Sequence, residues 1–171
     1  MNWTSVLAPI GLFLGALTGM EGVAWFTHRY LMHGALWSLH KSHHEPRTGL
    51  FELNDLFAVF FALPSMALIF WGSCGWWGMD GWRPALWLGL GMTAYGAIYA
   101  LFHDGLVHGR FDSPLPLRLM KRLVQAHRLH HTVHTRTGSV SYGFLWAPPA
   151  RVLKARLQAI QGVKPALSAA D

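Results

Sequence analysis

Cysteine is nearly missing. Cys74 stands alone among 171 residues, which excludes an internal disulfide and any cysteine-built zinc or iron–sulfur centre. Charge is scarce as well: 13% of residues are charged against 52% hydrophobic, roughly half the charged share of a soluble domain. An ordinary water-facing globule and a disordered chain are both excluded. Neither G-x-G-x-x-G nor G-x-x-x-x-G-K occurs, so the chain brings no nucleotide site of its own. The N-terminus has no basic stretch and no A-x-A cleavage site, and is expected to be retained rather than removed as a signal peptide. What remains is apolar sequence and histidine, with 9 Trp, 10 Phe and 11 His.

Three windows are long and apolar enough to cross a bilayer, which takes about 20 helical residues. Trp3 to Phe26 holds Glu21 as its only charge, while Leu56 to Met79 and Pro84 to Phe102 hold none. Pro64 is expected to kink the second span, and Gly89, Gly91 and Gly96 to allow close packing of the third. With three spans, Arg29, Lys41, Arg47 and the ten basic residues from Arg110 to Lys164 fall on one side, against Arg83 alone on the other. The positive-inside rule then puts the C-terminus in the cytoplasm and the N-terminus outside. Leu115 to His134, with Arg118, Lys121, Arg122 and Arg128, reads as an interfacial helix. Trp71, Trp76, Trp77 and Trp82 read as an outer aromatic belt. The fold expected is an all-α integral membrane protein. Residues 1–150 form one embedded domain, and residues 151–171 a basic tail, helix-like from Arg151 to Gln161 and frayed beyond.

Ten of the 11 histidines fall into four clusters. His28 and His33 form H-x4-H, and His40, His43 and His44 form H-x2-H-H. His103 and His108 repeat the first pattern; His127, His130 and His131 repeat the second. In the three-span topology all four lie at the cytoplasmic surface, although histidine played no part in the charge count. On an α-helix, residues i, i+3 and i+4 share a face within about 100°, so each H-x2-H-H presents its imidazoles together. Residues five apart diverge by about 140°, so each H-x4-H needs a helix end or local unwinding, which Gly34 and Gly105 allow.

Neutral imidazole suits zinc, copper, iron or nickel. Ten ligands exceed the needs of one metal and match two with five each, which argues for a catalytic pair with open positions. Glu21 lies seven residues before His28, inside the hydrocarbon, and is expected to orient a ligand. Asp55 and Asp104 read either as acceptors of imidazole N–H or as caps and surface charges. His134 reads as a surface histidine or a group behind a ligand. Such a metal pair on lipid-embedded helices suits a substrate that stays in the membrane. No flavin, nicotinamide or haem module is evident, so electrons must come from outside, and the basic face suits an acidic carrier. No nucleic-acid partner is expected.

The words around these histidines carry a resemblance. Met32-His33-Gly34, Ser42-His43-His44-Glu45-Pro46-Arg47, Phe51-Glu52-Leu53-Asn54-Asp55-Leu56, His103-Asp104-Gly105-Leu106-Val107-His108, Ala126-His127-Arg128-Leu129-His130-His131 and Gly143-Phe144-Leu145-Trp146-Ala147-Pro148-Pro149 resemble the membrane fatty-acid-hydroxylase superfamily. Within it they are most similar to the bacterial non-haem β-carotene hydroxylases, from about Gly19 to Pro149. The resemblance implies hydroxylation of β-ionone rings at C3 and C3′, giving zeaxanthin through β-cryptoxanthin. It also implies two Fe ions on the ten box histidines, dioxygen as co-substrate, a ferredoxin-type donor and residence in a bacterial inner membrane. Zinc is a plausible substitute metal in recombinant protein. A carotenoid ketolase or lipid desaturase would share the boxes. A haem electron carrier suits adjacent histidines poorly, and a metal transporter would need more ionisable groups in its spans than Glu21.

Overall fold

The structure is a computed structural model that describes residues 3–47, 49, 51–74 and 83–162. Among these, every regular element is helical. Three helical stretches, Val6–Ala35, Leu53–Ser73 and Pro84–Val107, are long and apolar enough to cross a membrane. Their main bodies are α1 (Trp3–Phe26), α3 (Leu56–Ser73) and α4 (Pro84–Tyr99). Between the first two lie the short α2 (Trp37–His40) and a 3-10 turn over Lys41–His44. After the third come α5 (Leu117–His131) and α6 (Ala150–Gly162).

The three long helices are apolar on all sides, as elements solvated by lipid are. Leu7, Ile10 and Leu14 on α1 and Phe60, Leu63, Met66 and Phe70 on α3 are exposed, and only a hydrocarbon surround makes that inexpensive. Proline at the first position of α4 costs nothing there, because that N–H has no helical partner anyway. α3 continues as one helix past Pro64. α4 packs against both α1 and α3. A methyl group at Gly91 would overlap the Phe13 carbonyl and one at Gly72 the Leu86 backbone, while one at Gly89 would lie 2.9 Å from the Ser65 carbonyl. Close helix contact rests on these three glycines. Gly96 has nothing within 4 Å of such a group and borders a cavity instead. Ser65 and Thr93 seal the α3–α4 seam, both donating to the Gly89 carbonyl, at 3.0 and 2.9 Å. Gly91→Val is therefore expected to cost about 1–3 kcal/mol by overpacking, seen as a lowered Tm of detergent-solubilised protein.

α5 is more than an interfacial helix. Its Arg118, Lys121, Arg122 and Arg128 are exposed, but Val124, Ala126, His127 and His130 are buried. α6 packs on it through Leu153 and Leu157, which join Ala126, Val140 and Ala147 in a small apolar cluster. The first half of the basic tail is thus packed onto the domain; residues 163–171 lie outside the described residues. Trp71 is exposed at the end of α3, and Trp76, Trp77 and Trp82 lie outside the described residues.

Candidate metal centre

The five-residue histidine spacing finds its explanation in helix geometry. α1 passes at Thr27 into a π-helical stretch, Thr27–Ala35, and α4 passes at Ala100 into another, Ala100–Val107. The i→i+5 bonds are seen directly, from Leu36 N–H to the Leu31 carbonyl at 2.8 Å and from His108 N–H to the His103 carbonyl at 3.0 Å. One such wider turn stacks residues five apart. His28 and His33 consequently face one way, as do His103 and His108, with ring centroids 5.2 and 4.6 Å apart. The backbone does break at Gly34, with φ −117° and ψ −120°; Gly105 stays within its π stretch.

The ten box histidines gather into two groups. One holds His28, His33, His40, His44 and His130; the other holds His43, His103, His108, His127 and His131. Within each group the ring nitrogens offered all lie within 4.8 Å of one another. The boxes are shared out unevenly. Each group takes one H-x4-H pair and the i, i+4 pair of the box that follows it, and receives the middle histidine of the other box. The two halves of the chain are thereby related by a pseudo-symmetry in which His43 and His130 are exchanged.

In the first group every imidazole has its Nδ1 against an oxygen. His28 donates to the Tyr142 carbonyl at 2.9 Å, His33 to Arg136 at 3.0 Å, His44 to Val133 at 2.9 Å and His130 to Val140 at 2.9 Å. His40 donates to the Asn54 side-chain oxygen at 2.7 Å. These acceptors fix the Nδ1–H tautomer and leave every Nε2 a bare lone pair. The Nε2 atoms nonetheless converge, with His28–His40 at 3.1 Å, His33–His130 at 3.0 Å and His44–His40 at 3.2 Å. Lone pairs so placed repel one another and call for a shared cation. The second group matches, with His43–His103 at 2.9 Å, His131–His127 at 2.9 Å and His108–His127 at 3.3 Å. A metal about 2.0–2.1 Å from each nitrogen separates neighbouring ligands by about 2.9 Å at a right angle and about 3.4 Å at the tetrahedral angle. The residues fit two metal ions, each held by five imidazoles.

Burial holds the imidazoles outside the membrane-length helices towards the neutral form. It lowers His44 from 6.5 to about 4 and His40 and His108 to about 3. Burial first, and neighbouring imidazoles second, push His43, His127, His130 and His131 down as well. The unfolded chain takes up protons near 6.5, before the folded one does, so falling pH favours unfolding. Chelator-stripped protein is expected to hold its Tm above pH 7 and lose it steadily from about pH 6.5 towards pH 4, as a pH series of melts would record.

The other candidates occupy distinct places. Asp104 accepts from His103 Nδ1 at 2.9 Å. Asp55 bonds no ring; it accepts from Arg110 at 2.7 Å and from the Glu52 backbone N–H at 2.9 Å. The positions that do back ligands there are its neighbours Glu52, facing His43 Nδ1 at 3.1 Å, and Asn54. Glu21 does not touch an imidazole. It accepts from Tyr95 Oη at 2.8 Å and from the backbone N–H groups of Phe144, Leu145 and Trp146 at 2.9–3.2 Å. It thereby pins the loop whose Tyr142 carbonyl and Phe144 ring back His28, the ring stacked at 5.2 Å and 12°. Gly143 lets the loop come this close, since a methyl group there would lie 2.7 Å from Glu21 Oε1. His134 donates its Nδ1 proton to the His44 carbonyl.

Two hollows approach the centre. An apolar cavity of about 410 Å³ lies between α1, α3 and α4, lined by Met20, Phe57, Phe61, Met66 and Met92. Its lining also includes Asn54, Asp104, Tyr99 and Phe144, side chains that themselves touch rings of the box histidines. On another side an open cleft of about 350 Å³ is bordered by His43, His44, His108, His131, Arg128 and His134.

A helical bundle with three apolar membrane-length helices and two matched five-histidine nests defines a histidine-box membrane protein whose nests are compatible with a metal site. The chain belongs to the fatty acid hydroxylase family, whose pattern it matches over residues 13–149. It is 50% identical over 148 residues to the beta-carotene hydroxylase of Pantoea ananas, covering 85% of this chain and 81% of that one. It is 51% identical over 157 residues to the beta-carotene hydroxylase of Pseudescherichia vulneris, covering 91% and 86%. With the chloroplastic beta-carotene 3-hydroxylase 2 of Arabidopsis thaliana it shares 42% over 151 residues, 84% of this chain and 48% of that one. No solved structure matches the chain.

Proposed function

We propose that the chain hydroxylates the β-ionone rings of β-carotene at C3 and then C3′, giving β-cryptoxanthin and zeaxanthin. The observation that carries this reading is the convergence of ten imidazoles into two nests, in contact with Asn54, Tyr99, Asp104 and Phe144, which also line an apolar cavity between the membrane helices. The bacterial relatives named as beta-carotene hydroxylases, half identical over most of the chain, supply the substrate class. In this reading the ten histidines hold two Fe ions, which supply the redox chemistry that puts one atom of dioxygen into a C–H bond and the other into water, using two external electrons and two protons.

The protein's own work is placement. Met20, Phe57, Phe61 and Met92 offer the ring an apolar wall, and close packing there excludes water from the reacting carbon. The backbone and side-chain oxygens behind the Nδ1 atoms of His28, His33, His40, His43, His44, His103 and His130 hold those imidazoles in orientation and tautomer. Electrons arrive from the water side. The cleft edged by His108 and His131 and the exposed Arg118, Lys121, Arg122 and Arg128 of α5 suit an acidic carrier of the ferredoxin type. The thirteen-to-one distribution of basic residues supports, by the positive-inside rule, a cytoplasmic placement of this face, in this reading at a bacterial inner membrane.

Expression in cells that accumulate β-carotene tests the proposal. The parent chain is expected to convert the pigment to β-cryptoxanthin and zeaxanthin, while His127→Ala leaves it unconverted. Ketones or new double bonds in place of hydroxyls would move the reading to a ketolase or desaturase. An unchanged pigment, with membrane-inserted, iron-loaded protein and a competent donor, would remove the carotenoid substrate.

A further inference from the structure

The two metal nests are matched in ligand type and spacing, yet what stands behind them differs. His28 and His130 lean on the neutral carbonyls of Tyr142 and Val140. Their counterparts under the pseudo-symmetry, His103 and His43, lean instead on the carboxylates of Asp104 and Glu52, at 2.9 and 3.1 Å. Both carboxylates meet one side chain. Arg110 Nη2 lies 3.1 Å from Glu52 Oε2, the same oxygen that faces His43, though too far off axis for a hydrogen bond. Its Nη1 donates to Asp55 Oδ1 at 2.7 Å and lies 4.0 Å from Asp104 Oδ1, the oxygen that faces His103. The Arg110 backbone N–H also donates to the Asp104 carbonyl at 2.8 Å. The guanidinium is only 15% exposed and Glu52 only 10%, so solvent screens this cluster weakly. Three carboxylates against one guanidinium leave it net negative, behind one nest only.

We propose that Arg110 is a positioning residue that makes the two metal positions unequal, by holding Glu52 and Asp104 where they back His43 and His103. A carboxylate behind an imidazole raises its basicity and fixes its ring. The nest of His43, His103, His108, His127 and His131 therefore grips its metal more tightly than the neutral-backed nest does. The planar fork matters, because a lysine at this place keeps the charge but cannot span two carboxylates. Asp55 completes the clamp: it holds Arg110 by its side chain and Glu52 through the Glu52 backbone N–H. The inference rests on the dimetal reading above and adds to it an order of affinity and the residue that sets it.

The test is chelator competition on iron-loaded full-length protein in detergent, with helicity followed by circular dichroism. The parent is expected to release two irons in two resolved steps. In Arg110→Gln the tighter step weakens by about 10–100-fold while the looser stays within about 2-fold, and Arg110→Lys falls between. Glu52→Gln keeps an acceptor for His43 without its charge and is expected to weaken the same step, so it carries the test should Arg110→Gln fail to fold. Equal weakening of both steps in folded protein, or of neither, would overturn the role of Arg110. A parent that takes up fewer than two irons would instead overturn the dimetal reading, and this inference with it.

Discussion

His130→Ala is expected to empty the nest built on His28, His33, His40 and His44, although His130 belongs to the other box. The structure exchanges the middle histidines, so His130 and His43 each join the histidine group of the opposite half. Iron content should fall from two per chain towards one, and hydroxylation should drop by more than about 100-fold, since losing a ligand exceeds the 10–100-fold cost of losing a group behind one. His43→Ala should act on the other nest, together with His127→Ala. Quantifying iron in the single variants and in pairs separates the assignments. His130→Ala with His44→Ala should still retain one iron, while His130→Ala with His127→Ala should retain none. The reverse pattern would mean that each box serves a single metal.

Glu21→Leu is expected to be the most damaging change that touches no ligand. Its carboxylate satisfies the Tyr95 hydroxyl and three consecutive backbone N–H groups. Leucine leaves those of buried Tyr95 and Phe144 without partners. Each orphaned donor costs about 1–3 kcal/mol, so a loss of about 2–6 kcal/mol follows, read as a lowered Tm in detergent. The effect should reach the site, because the freed loop carries the Tyr142 carbonyl that orients His28. An accompanying loss of metal affinity of roughly 10–100-fold is expected. Glu21→Gln retains an acceptor oxygen for the loop and should lose far less of both.

Much of this arrangement is legible in the sequence. Trp3 to Phe26 is α1 residue for residue, and Pro84 opens α4, because an apolar run and a proline leave helix boundaries little freedom. The four histidine clusters announced themselves by repetition. The H-x4-H pairs showed that an α-helix would not serve, but not that a π-helical turn would. Sharing of the H-x2-H-H boxes was hidden, because i+3 and i+4 differ little on a helix face and tertiary placement decides which metal each meets. The groups behind the ligands were harder still. Glu52 and Asn54 look like loop polar residues until folding buries them against His43 and His40. The carbonyls of Val133, Arg136, Val140 and Tyr142 carry no residue signature at all. Glu21 is conspicuous as a carboxylate in hydrocarbon, yet its partners are Tyr95 on another helix and backbone N–H groups more than a hundred residues away in the loop after Ser141, separations no helical periodicity reports.

The most direct measurement supplies iron-loaded protein in lipid with β-carotene, a reduced ferredoxin-type donor and ¹⁸O₂, and weighs the products. A histidine-held iron pair acting beside the apolar cavity predicts one ¹⁸O in β-cryptoxanthin and two in zeaxanthin, with no label when only the water carries ¹⁸O. Hydroxyl oxygen drawn from water, or product formed equally well after the metal is removed, would contradict it.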